Sequence, residues 1–88
     1  MKDKGLERTL KALANKRRLL ILRYLKNTKE ASVGDIAGEI KLSFNATSKH
    51  LGVLYTADIL DREQRNVQMY YRIAHDISSP VRSVLSIL

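Results

Sequence analysis

The chain has 88 residues, which sets the scale of one domain with a small core and a stability that gains from dimerisation. With 44% hydrophobic and 28% charged residues it falls among globular chains and not disordered ones, and the lack of any cysteine excludes disulfides, thiolate metal sites and thiol redox sensing. The net charge of +7 suggests a polyanionic partner, yet ten basic residues against two acids lie in residues 1–29, and residues 30–88 carry six against seven. This excess fits either the solvated faces of two amphipathic helices or a surface lying against phosphates. No apolar run spans a bilayer, and Met1-Lys2-Asp3-Lys4 leads into an amphipathic segment and not a signal-peptide core. The default expectation is a cytoplasmic protein with no membrane partner.

Leu6, Leu10, Leu13 and Ala14 recur at helical spacing and predict a first helix over roughly Lys4 to Ala14. Asn15 is a good N-cap for a second helix with Leu19, Leu22 and Leu25 on one stripe. Leu20, Ile21 and Tyr24 widen that stripe, as burial on more than one side requires. Asn27-Thr28-Lys29-Glu30 reads as a loop. Ser32 caps a third helix, with Asp35 at N3 near the positive helix end. Val33, Ile36, Ala37 and Ile40 form its inner face. Ser43 caps a fourth helix, 44–57, with Thr47, Leu51 and Leu54 facing inward.

After Asp58 the period changes. Ile59, Leu60, Val67, Met69, Tyr70, Tyr71 and Ile73 interleave with charged residues and predict a β-hairpin over 59–73. Arg65-Asn66 is placed at its tip, because Asn tolerates left-handed backbone angles. Ser79-Pro80 resembles an N-cap and N1 pair for a last helix striped by Val81, Val84, Leu85 and Leu88. The predicted fold class is mainly α with a small β-hairpin: one domain, 1–88, of four helices, a hairpin wing and a C-terminal helix.

Two helices joined by a short turn, the second presenting Phe44, Asn45, Ser48 and Lys49 outward, match what reading a DNA major groove requires. Asn45 suits bidentate bonding to adenine, and Lys49 suits guanine or a phosphate. Phe44 has two open roles, contact with a thymine methyl or packing into the core. Ser43 caps the helix and is placed to bond a phosphate as well. His50 fits a phosphate contact or a structural place in the bundle. Arg62, Arg65 and Gln68, near the hairpin tip, are candidates for the minor groove or phosphates. Asp58, Asp61 and Glu63 dilute the charge there.

The order of these elements resembles the winged helix-turn-helix regulators of the arsenic-repressor (ArsR) family. Leu10 to Asn15 followed by Arg18-Leu19, Ile21-Leu22 and Leu25 is similar to the family's opening. Ser32-Val33-Gly34-Asp35-Ile36-Ala37 resembles the first helix of its helix-turn-helix. Leu42-Ser43 with Ser48-Lys49-His50-Leu51 and Val53-Leu54 resembles its recognition helix, and Ile59-Leu60 with Tyr70-Tyr71-Arg72-Ile73 its wing. The chain departs from the pattern at Asn15-Lys16, where an Asp-Pro-type dipeptide is usual, and at Lys41, where Gly is usual in the turn. Phe44 stands in a usually polar place and Thr47 in a usually aliphatic one.

The resemblance implies a homodimeric, sequence-specific regulator of double-stranded DNA, a repressor reading an inverted repeat. It implies dimerisation through the first and last helices, here Leu6, Leu10, Val81, Val84, Leu85 and Leu88. Relatives that sense metals do so through Cys pairs or spaced Asp and His residues. This chain has no Cys, and His75-Asp76 has no second His downstream, so no cofactor and no metal are expected. No nucleophile–His–acid set or glycine-rich phosphate loop points to an enzyme. The alternative functions are a protein-docking winged helix, or DNA binding without sequence preference.

Overall fold

A computed structural model describes residues 3–88, with side chains from Gly5 onward. Met1 and Lys2, both in the basic first third, lie outside the described residues. Five helices and three strands follow in the order α1 (Asp3–Leu13), α2 (Lys16–Thr28), β1 (Glu30–Ser32), α3 (Val33–Ile40), α4 (Phe44–Thr56), β2 (Leu60–Arg65), β3 (Gln68–Ile73) and α5 (Ser79–Ile87).

Local side chains set most boundaries. The Asn15 carboxamide oxygen accepts from the Arg17 and Arg18 amides at 2.9 and 3.2 Å. The Ser32 hydroxyl accepts from the Asp35 amide at 3.1 Å, and Ser43 does the same for Ala46 at 3.1 Å. Each such cap stabilises its helix by about 1 kcal/mol. The turn between α3 and α4 keeps its form without glycine. Lys41 adopts left-handed angles (φ 56°, ψ 51°), and the Leu42 amide closes onto the Ala37 carbonyl at 3.1 Å. A side chain at that backbone conformation costs about 1 kcal/mol.

Three sequence expectations shift. The hairpin tip is Asn66-Val67 and not Arg65-Asn66, because Arg65 still pairs with Gln68 in the ladder and leaves only two residues to turn. Asn27 and Thr28 finish α2, and Glu30 leaves the predicted loop to open β1. The sheet therefore has three strands in the order β1-β3-β2, all antiparallel. A three-residue strand of Glu, Ala and Ser carries neither alternation nor strong β preference, so pairing with β3 creates it. At the last helix Ser78 is the N-cap and Ser79 the first helical residue, one place earlier than expected.

The core lies where α2, α3, α4 and the sheet meet. Ile21, Leu22, Leu25, Ile36, Leu51, Leu54, Ile59, Leu60 and Val81 are fully buried in it. Thr47 is buried among them, as its inward placement requires, but its hydroxyl has no hydrogen-bond partner. The alternation of the sheet separates two faces. Leu60 and Arg62 share one with Ala31, Tyr71 and Ile73, the face that packs on the helices, with Arg62 exposed toward its open end; Asp61, Glu63 and Arg65 share the other with Glu30, Tyr70 and Arg72.

Candidate nucleic-acid interface

Burial of Thr47, Leu51 and Leu54 fixes which way α4 points. Its opposite side is open, and Phe44, Asn45, Ser48 and Lys49 are all exposed along the first turns. Asn45, Ser48 and Lys49 form no hydrogen bond or ion pair among the described residues, so their polar atoms are free for a ligand. Phe44 is 59% exposed, which places it in solvent and not in the core. Ser43 stands at the positive end of the same helix with its hydroxyl engaged as the cap.

His50 sits apart, half-buried on the flank facing α2. Its Nδ1 lies 3.1 Å from Arg18 Nη1. A guanidinium only donates, so Nδ1 accepts and the ring is neutral with its proton on Nε2. Burial, then the charges of Arg18 and Arg17, push the imidazole below its ordinary value. Arg18 also donates from Nε to the Ala12 carbonyl at 2.6 Å and from Nη2 to the Lys11 carbonyl at 3.1 Å. One side chain thus ties the end of α1 to α4.

The wing arginines occupy opposite faces. Arg62, exposed on the face that carries Tyr71, lies 3.9 Å over the Tyr55 ring of α4 and donates to the Tyr71 hydroxyl at 3.4 Å. These contacts hold the guanidinium beside α4. A cleft of about 380 Å³ separates that helix from the wing, lined by Phe44, Ser48, Arg62, Val67, Met69 and Tyr71. Arg65, turned outward, is engaged elsewhere. It forms a two-pronged ion pair with Glu30 at 2.7 and 2.8 Å, meets Glu63 at 3.0 Å and stacks on Tyr70 at 4.7 Å. Arg72 adds contacts of 3.5 Å to both carboxylates. The bonds from Arg65 hold Glu30 and Glu63 below the usual carboxylate range, and Arg65 is pushed up in turn. At the tip, Asn66 takes φ 57° and Val67 is 94% exposed, while Gln68 accepts from the Tyr70 hydroxyl at 2.9 Å.

A helix-turn-helix with an outward polar face, a wing folded beside it and helices at both ends is the geometry of a regulator domain. The arsR family of bacterial regulatory proteins matches residues 15–62, more than half of the chain. The chain belongs to the ArsR family. It is 33% identical over 79 residues to the transcriptional activator HlyU of Vibrio cholerae serotype O1, covering 90% of this chain and 69% of HlyU. The structure of reduced HlyU from Vibrio cholerae N16961 superposes with a TM-score of 0.81 at 30% identity, covering 97% of this chain and 85% of that one. The homodimeric winged helix-turn-helix DNA-binding domain Mb0332 of Mycobacterium bovis, a possible ArsR-family transcriptional regulator, gives a TM-score of 0.80 at 28% identity. That match covers 99% of this chain and 82% of the domain. The family and these neighbours are transcription regulators that bind DNA, not enzymes.

In this ArsR-family chain α1 and α5 lie side by side. Leu6 and Leu10 are 36% and 49% exposed on α1; Val84 and Leu85 on α5 are half-buried, as is Leu88 at its C-cap. Val81 departs from the expected dimer stripe. It is 1% exposed and faces the core, because the first turn of α5 packs down on the bundle. Ile87, 82% exposed, stands on the surface of the same helix and was not foreseen. Lys26 Nζ secures the end of α5 by donating to the Leu85 carbonyl at 2.8 Å. His75 and Asp76 are exposed beside Asp58 and Asp61, and among the described residues no three His, Asp or Glu side chains gather as a metal set. No described helix is long and apolar enough to cross a membrane. Sequence reasoning also missed Tyr55, Tyr71 and Arg18 as the side chains that position Arg62 and His50. Those partners are joined across the fold, so no local spacing signals them.

Proposed function

We propose that the chain is a homodimeric regulator that reads an inverted-repeat operator in double-stranded DNA. The observation that carries this reading is the set of unpartnered polar groups of Asn45, Ser48 and Lys49 on the open side of α4, braced from behind by buried Thr47, Leu51 and Leu54. The N-terminal turns of such a helix reach base edges in the major groove. Asn45 bonds adenine, Lys49 bonds guanine or a phosphate, and Phe44 meets a thymine methyl across the cleft from the wing. Ser43 and the Nε2–H of His50 serve phosphates. Arg62, held by Tyr55 and Tyr71, is the wing cation best placed for DNA, whereas the charge of Arg65 is already paired within the sheet. Gln68 lies at the rim of the same cleft.

Leu6, Leu10, Val84, Leu85 and Leu88 form the dimer surface in this proposal. Two copies then set their α4 helices in successive major grooves, about 10 bp apart centre to centre. The dimer works in the cytoplasm, needs no cofactor or metal for binding, and represses where its operator overlaps a promoter. HlyU is named as an activator, so the sign of regulation follows from where the operator lies. Selection of bound sequences from a random duplex pool tests the whole reading. An inverted-repeat consensus, with log affinity falling against log salt by about 0.9 per phosphate neutralised, is the expected result. Absence of salt-sensitive duplex binding at low ionic strength overturns it and leaves a protein-docking winged helix. Complete competition by unrelated DNA leaves binding without sequence preference.

A further inference from the structure

A groove of about 720 Å³ runs between α1 and the C-terminal half of α4, on the side of α4 away from the wing. Its volume falls in the range of small-molecule sites. Ala12, Gly52, Val53 and Thr56 supply an apolar floor and wall, and Arg8, Lys11, Arg18 and Lys49 stand at its rim with Glu7 as the one acid. Gly52 is the telling residue. It lies in the middle of a helix, where glycine costs about 1 kcal/mol relative to alanine, and a Cβ built there meets nothing within 4 Å. The open space therefore reaches the helix backbone.

The cations are available to different degrees. Arg8 and Lys49 form no ion pair or hydrogen bond among the described residues. Lys11 meets Glu7 at 3.9 Å with both side chains strongly exposed, a pairing worth little in water. Arg18 is held by carbonyls and His50, and it adds a fixed positive charge. Phosphates of a duplex call for cations but have no use for an apolar floor. The dimer stripe is also elsewhere, since Leu6 and Leu10 follow a different row of α1 from Glu7 and Lys11. An apolar floor under a rim of excess positive charge fits one kind of occupant. We propose that this groove binds a small amphipathic anion, its apolar body on Ala12, Gly52 and Val53 and its acid group between Arg8, Lys11 and Lys49. An anion seated there draws the Lys49 ammonium away from DNA, so the ligand lowers duplex affinity. That second step rests on the DNA-reading role proposed for Lys49; the binding step does not.

Titration of the full chain with octanoate, followed by amide and methyl NMR, tests the site. Octyl phosphate distinguishes a preference between head groups, and octanol and octylammonium serve as uncharged and cationic controls. Saturable shifts at Ala12, Gly52, Val53 and Thr56 are expected, with octanol at least tenfold weaker and octylammonium without effect. Gly52→Leu fills the floor with a strong helix former and is expected to abolish the shifts without lowering the melting temperature. Lys11→Glu, an exposed change, is expected to weaken octanoate at least tenfold and provides the same test should Gly52→Leu not fold. Equal binding of octanol and octanoate, shifts centred on Leu6, Leu10 and Val84, or unchanged octanoate binding in Lys11→Glu overturns the site. Duplex affinity is expected to fall at least threefold at saturating octanoate. An unchanged affinity there overturns the regulatory step, whereas failure of the DNA reading shows separately as weak duplex binding with no ligand present.

Discussion

Helix α4 and the wing carry their polar side chains in opposite ways. On α4, Asn45, Ser48 and Lys49 leave their polar groups unpartnered, over a backing of fully buried Thr47, Leu51 and Leu54. On the wing, Arg65, Arg72, Glu30 and Glu63 satisfy one another across all three strands. A cationic residue on the wing is therefore no guide by itself to a DNA contact. What matters is whether its charge is already paired with carboxylates. By that measure Arg62 and Arg65, three residues apart on one strand and on opposite faces, differ: among the described residues no carboxylate pairs with Arg62, and two pair with Arg65. Arg62 is aimed at the cleft beside α4, and Arg65 staples the short β1 strand to the hairpin.

The largest effect that tests this contrast lies within α4 itself. Leu51→Ala removes a fully buried side chain and is expected to cost about 2–5 kcal/mol of stability. Asn45→Ala, on the other side of the same helix, is expected to stay within about 0.5 kcal/mol. Denaturant unfolding measures both. Equal losses would mean that α4 has no free face.

Next in size are the contacts to DNA. Asn45→Ala and Lys49→Ala are each expected to cost about 1–3 kcal/mol of operator binding if they touch bases. Arg65→Ala is expected to cost under about 1 kcal/mol in binding, because its charge is spent on Glu30 and Glu63. Binding isotherms on the selected operator decide the matter. A loss from Arg65→Ala as large as that from Lys49→Ala would show that the ion-pair network opens on DNA.

Thr47 gives a smaller effect of the opposite sign. Its hydroxyl is buried without a partner, and a buried hydroxyl in that state costs about 1–3 kcal/mol. Thr47→Val keeps the shape and removes the polar group, so it is expected to stabilise the fold by about 1 kcal/mol. A rise in the melting midpoint with unchanged operator affinity would separate the support of α4 from its reading side. A fall in the midpoint would mean that the hydroxyl is satisfied, for example by a trapped water.

How far each feature was legible in the sequence depended on the distance over which it is decided. Asn15, Ser32 and Ser43 act on amides two or three residues away, so their caps could be read directly. Ser78-Ser79-Pro80 offers two serines at one helix start, and choosing between them depends on how α5 packs; the choice came out one residue late. β1 exists only because β3 lies beside it and because Glu30 meets an arginine 35 positions later, and nothing within Glu30–Ser32 announces either. The outward residues of α4 were legible from the helical period. Their supports were not, since Tyr55 meets Arg62 across an element boundary and Arg18 meets His50 across 32 positions. Val81 was misplaced for a related reason. A single apolar stripe on α5 does not say which of its members faces the bundle and which a partner.

The smallest effect divides helix from wing by acidity. His50 is held below its ordinary value of 6.5, chiefly by burial and then by Arg18 and Arg17. The unfolded chain therefore takes this proton first, and stability falls as the pH descends through about 6.5, levelling once the folded imidazole is protonated as well. Protonation also removes the acceptor that Arg18 uses, so the tie between α1 and α4 loosens in this window. Glu30 and Glu63 are held below their ordinary value of 4.5, mainly by bonds from Arg65. Their contribution is complete above that value and is lost only as the pH falls through their depressed folded values. These carboxylates are exposed and screened, so the second step is shallow. Unfolding midpoints measured from pH 8 to pH 3 should show two separate declines. His50→Gln should remove the upper one alone, and Glu63→Gln should reduce the lower one alone. If His50→Gln left the upper decline in place, another group would be titrating there, and the Arg18–His50 contact would not be the feature that ties α4 to α1.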